Sequence, residues 1–163
     1  HIQPCDAWQY DWFHTWLSGG LAQTEIWYFM CAAKQSRLAL SFSRVHAYFQ
    51  NWVWPTASNG HCAARVFCEQ RMTADGDADK FKATGSEMLS MFPVFRHFVS
   101  TLGVNDVPEL VPAYESLMAL FDVLDILASH PRTYGEAKAL YTNFQKKTHV
   151  VAQACVARCD ACA

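Results

Sequence analysis

An all-α fold, an irregular bundle of about six to seven helices, is predicted by three features of this sequence. Apolar residues recur every three or four positions through most of its length. No segment sustains the period-two alternation of a half-buried strand, and the one hairpin-like dipeptide, Asp75-Gly76, has polar neighbours. The 163 residues are 52% hydrophobic and 17% charged, enough apolar mass for a single core.

The elements follow in chain order. Asp6 is placed to N-cap a first helix, on which Trp8, Trp12 and Trp16 recur at every fourth residue until Gly19 and Gly20 stop the pattern. A second helix is read over 21–34, with Leu21, Glu25, Tyr28 and Phe29 at mixed spacing. A third covers 38–54, where Leu38, Phe42, Val45, Phe49 and Trp52 keep helical spacing and Pro55 ends the run. All six tryptophans fall between Trp8 and Trp54, which predicts a packed aromatic cluster or an interface there.

Residues 55–60 read as loop, and 61–72 as a short helix with Ala64, Phe67, Cys68 and Met72 on one side. A second loop follows over 73–79. From Ser86, the positions Leu89, Phe92, Phe95 and Val99 fit a helix that Pro93 should kink, unless the proline sits in its first turn; Gly103 closes it. The clearest amphipathic pattern is Leu110, Tyr114, Leu117, Phe121, Leu124 and Leu127, terminated by Pro131. Thr133 and Glu136 have capping-box spacing, after which Ala137, Leu140, Phe144, Val151, Cys155 and Cys162 carry an apolar stripe onward. The expected organisation is one domain, 1–163, with an aromatic-rich subregion 1–72 and an aliphatic subregion 84–163 joined by an acidic loop, 73–83.

Charge narrows the functional classes. Thirteen Lys and Arg against fifteen Asp and Glu give a net charge of -2, with no polybasic footprint for autonomous nucleic-acid binding. Low charge combined with 14% aromatics implies that some apolar area meets a partner. No run of 18 apolar residues is present, so no membrane span is expected. The opening at His1 reads as a cut without a signal peptide. The odd count of seven cysteines suggests a reducing, intracellular setting.

Few constellations suit chemistry. The alternating acids Asp75, Asp77 and Asp79 begin like a calcium loop, but Lys80 and Ser86 occupy the glycine and glutamate positions, so a solvated acidic turn is the expectation. Cys155, Cys159 and Cys162 share one helical face, which suits packing better than metal, since the nearest fourth ligand, His149, lies almost two turns away. His61-Cys62 and Cys68 give no nucleophile-base pair, because adjacent helical residues diverge. Asp11 and His14, three apart, share a helix face, where they form either a surface ion pair or a carboxylate-imidazole pair around a divalent ion.

The string Tyr10-Asp11-Trp12-Phe13-His14 with Leu17 and Gly20 resembles the D-x-x-H signature of eukaryotic cut-and-paste DNA transposases of the CACTA-like group. The block 81–87 leading into Leu89 and 92–95 is similar to the K-A-x-E-like string and apolar helix of such proteins, and the likeness extends from about Trp8 to Phe144. This resemblance implies a parent enzyme of the DDE type with an RNase H-like fold, in which carboxylates hold Mg2+ or Mn2+ for attack on phosphodiester bonds. Asp11, His14 and Glu87 would be its site residues here, with Asp11 and Glu87 the metal ligands. It also implies a nuclear setting and DNA contact only through other parts of the parent, this segment being inactive alone. The competing reading is a non-enzymatic helical scaffold or small subunit that packs a face bearing Trp8, Trp12, Trp16 and Trp27 into a larger assembly, through a protein partner or by self-association.

Overall fold

The computed structural model describes residues 13–55, 63–68 and 82–128, together with helical positions 136, 139, 142, 143, 145–147, 149 and 153. Within them the chain is all-helical, with fewer helices than the six to seven expected. A π-helical turn, Phe13–Leu17, leads into α1, Leu21–Gln35. Gly20 is required at this junction by close approach: a Cβ there would collide with the backbone carbonyls of His14 and Thr15. On α1, Ala22, Ile26, Phe29, Met30 and Ala33 form the buried stripe.

The chain then turns sharply. Ala39 takes a left-handed φ of 47°, and the Leu40 amide donates back to the Ala33 carbonyl at 3.1 Å, satisfying a group at the helix end. This turn delays the next helix, α2, to Phe42–Asn51, where the Ser41 side chain caps the Arg44 amide at 3.2 Å. Residues 63 and 64 are helical and 65–67 turn, burying Ala63, Val66 and Phe67. Helix α3, Gly85–Ser100, runs uninterrupted through Pro93, which therefore sits in its interior and faces solvent. Gly103, at φ 63°, supplies the left-handed residue that ends this segment. Two 3-10 turns, Val104–Asp106 and Pro108–Leu110, lead into α4, Val111–Ala128.

Helices α1 and α4 pack together, α3 packs on α4 and on the π turn, and α2 packs on α3. Phe95 is the hub of the core, meeting Phe29 edge-on at 6.4 Å, stacking on Phe67 at 5.3 Å and meeting Phe121 edge-on at 6.2 Å. Phe67 continues this network to Phe49 and Phe42, and Phe42 to Trp27. Phe67 thereby ties the segment 63–68 to α2 and α3 by aromatic contacts.

Buried polar groups cross the same core. Gln23 donates its amide to the carbonyls of Leu17, at 2.9 Å, and Ala83, linking the π turn, α1 and the approach to α3. Glu25, 2% exposed, accepts from the Ser116 hydroxyl at 3.0 Å, joining α1 to α4. On the opposite side of α4, Arg96 bridges Asp122, at 2.6 Å, and Asp125, while Lys147 reaches Asp122 at 2.6 Å. The acidic loop, the Thr133 cap, Cys155, Cys159 and Cys162 lie outside the described residues, as do Asp11, Trp8 and Trp12.

Candidate binding groove

Helix α3 and the end of α2 form a groove of about 580 Å³, lined by Trp52, Trp54, Pro55, Leu89, Ser90, Pro93, Val94 and His97. Local chemistry sets its two walls. Helix α2 stops at Asn51 because Trp52 leaves the helical region, with φ -73° and ψ 135°, and the chain then extends towards Pro55. Trp54 folds back on α2, its indole N–H donating to the Phe49 carbonyl at 3.1 Å and its ring 5.8 Å from Phe49. Trp52 packs 5.8 Å from Tyr48 and 5.2 Å from His97. Between the two tryptophans Val53 is 91% exposed, extending the apolar surface outwards.

The opposite wall is the outer face of α3, where Leu89, Ser90, Pro93, Val94 and His97 fall at helical spacing. Tyr48 Oη and His97 Nδ1 lie 2.6 Å apart and hold α2 against α3 at one end of the groove. With Tyr48 as donor, the neutral imidazole carries its proton on Nε2. Pro93 has no N–H, so the Leu89 carbonyl lacks the i+4 donor it would otherwise receive.

The described residues that the sequence put forward as site candidates occupy other places. Glu87 is the third residue of a capping box: its carboxylate accepts from the Thr84 amide at 2.7 Å, and its own amide donates to Thr84 Oγ1 at 3.2 Å. The spacing Thr84-x-x-Glu87 was the sequence signal for this role. His14 is exposed on the π turn, an element that packs against α3; its proposed partner Asp11 lies outside the described residues. Among the described residues, no group of three His, Cys, Asp or Glu side chains is placed to hold a metal ion.

Trp16, expected on the interface, is 4% exposed and belongs to the core, because the π turn folds onto both α1 and α3. Trp27 is half-buried and stacks on Phe42 at 5.6 Å. Among the described tryptophans, Trp52 and Trp54 line the groove, in a stretch that periodicity had assigned to a third helix. No helix among the described residues is long and apolar enough to cross a membrane. The chain matches no protein-family model, no curated protein and no solved structure.

Proposed function

We propose that this chain is a non-enzymatic helical binding module whose working surface is the aromatic face around Trp52 and Trp54. The groove carries this reading, because an apolar concavity rimmed by aromatic rings is the arrangement that supplies anchoring energy when a partner covers it. The polar groups of Tyr48 and Trp54 are spent on holding the walls in place, which leaves their rings as rigid surface. Native mass spectrometry and sedimentation of the full chain test the role in assembly. Trp52→Ser with Val53→Asp should dissolve any self-association or defined complex while preserving the helical circular dichroism; an assembly unchanged by both substitutions overturns the role of this face.

A second reading keeps the segment of a transposon-derived, DDE-type transposase, inactive alone and holding Mg2+ or Mn2+ through Asp11 and Glu87. What favours it is that the π turn bearing His14 packs against α3, the helix whose first turn bears Glu87. The capping box supplies Glu87 with a structural role that needs no metal, so the binding reading stands first. A nuclear location and contact with DNA through a parent protein belong to this second reading alone.

A further inference from the structure

We propose that the groove between Trp52 and α3 is a binding site for an uncharged aromatic small molecule carrying a hydrogen-bonding group. The inference deepens the binding-module reading and rests on it. At about 580 Å³ the groove falls inside the range of roughly 300 to 1,000 Å³ typical of small-molecule sites. Its walls are two indoles, two prolines, a leucine and a valine, flat or rigid surfaces that suit a planar ring.

Charge selects against an ionised ligand. None of the lining residues is Asp, Glu, Lys or Arg. The neighbouring Arg96 is occupied by Asp122 and Asp125, and the one ionisable lining side chain, His97, is engaged through Nδ1 by Tyr48, so a ligand charge entering the groove would lose water without gaining a permanent counter-ion.

Hydrogen-bonding capacity is present in four lining residues. The Leu89 carbonyl lacks its helical donor because Pro93 lies at i+4. The Ser90 hydroxyl and the Trp52 indole N–H make no hydrogen bond among the described residues, and His97 retains Nε2 once Nδ1 is engaged by Tyr48. A ligand such as an aromatic amide offers both an acceptor for Trp52 or His97 and a donor for the Leu89 carbonyl.

The test is titration of the full chain with N-phenyl-1-naphthylamine, a neutral probe whose emission rises in apolar surroundings, followed by competition. Saturable one-to-one binding is expected, displaced by neutral benzanilide at least about tenfold better than by anionic diphenylacetate. Ser90→Trp, which fills the groove, should weaken the probe by at least about tenfold. Pro93→Ala restores a helical donor to the Leu89 carbonyl; it should fold at least as well as the parent and bind benzanilide more weakly.

No saturable binding, equal competition by the anion, or unchanged benzanilide affinity in both variants overturns the proposal. If probe binding is absent while Trp52→Ser still dissociates an assembly, the ligand class fails and the module reading survives.

Discussion

At the scale of single residues, two positions carry constraints stronger than their chemistry suggests. A methyl group at Gly20 has nowhere to go, since the obstacles are main-chain carbonyls and not the end of a movable side chain. Gly20→Ala should cost about 1 to 3 kcal/mol or more in urea unfolding, with the π turn displaced from α1. Glu87 separates capping from metal chemistry cleanly. A capping box accepts glutamine as well as glutamate, so Glu87→Gln should leave stability nearly unchanged without metal. Thr84→Ala, which removes the acceptor for the Glu87 amide, should cost about 1 kcal/mol. A large loss in Glu87→Gln with none in Thr84→Ala would contradict the capping role. The spacing Thr84-x-x-Glu87 carried the signal for the box, but the sequence reading took Glu87 for a metal ligand; the fit of Gly20 had no signal, because the atoms it must avoid are placed by a π turn with no distinct sequence signature.

At the scale of elements, periodicity read the long helix well and the junctions poorly. The stripe Leu110, Leu117, Phe121 and Leu124 is buried as its spacing requires, with Tyr114 and Leu127 half-buried against the core. Leu120→Ala and Leu124→Ala, at 0% and 1% exposure, should each cost about 2 to 5 kcal/mol. A cost below about 0.5 kcal/mol in both, well short of the usual price of a buried leucine, would refute their core placement. Local spacing could not show that α2 begins only at Phe42, because the delay depends on the left-handed Ala39 turn. Nor could it reveal Gln23, Glu25 and Ser116, polar residues buried through partners far away in sequence.

The ion cluster on α4 belongs to this scale too. Partial burial raises the Asp122 carboxyl, but the hydrogen bonds and charges of Lys147 and Arg96 outweigh it and hold the group below its ordinary 3.8. The unfolded chain thus takes up the proton first as acid is added. Asp122 therefore contributes stability that is complete above that ordinary value and is lost as pH falls through the lower folded-state value. Urea unfolding should show Asp122→Asn less stable than the parent at pH 7, with the gap narrowing as pH drops below about 4. A gap independent of pH would assign the effect to packing. Because the pairs are partly solvated, added salt should shrink it as well.

For the whole molecule, the groove illustrates what a linear reading cannot supply. Of the lining, only Trp52 and Leu89 stand in the apolar stripes read from the sequence, and the concavity exists only because α2 stops at Asn51 and Trp54 folds back onto Phe49, bringing residues 52–55 beside 89–97. Aromatic content announced a surface; among the described tryptophans the fold sends Trp16 inward and leaves Trp52 and Trp54 at the rim of the groove. The two functional readings differ in their linkage to divalent ions. A resident Mg2+ or Mn2+ site on Asp11 and Glu87 would bind the folded chain preferentially and stabilise it by about 2.7 kcal/mol at a hundred times Kd. For a chain of this size that stabilisation corresponds to a rise in Tm of roughly 5 to 10 °C. The binding-module reading expects no such rise in the parent, in Asp11→Asn or in Glu87→Gln across a titration of either ion. A rise in the parent that both substitutions abolish would transfer the argument to the transposase reading, because capping survives in Glu87→Gln and only the lost ligand charge could account for the change.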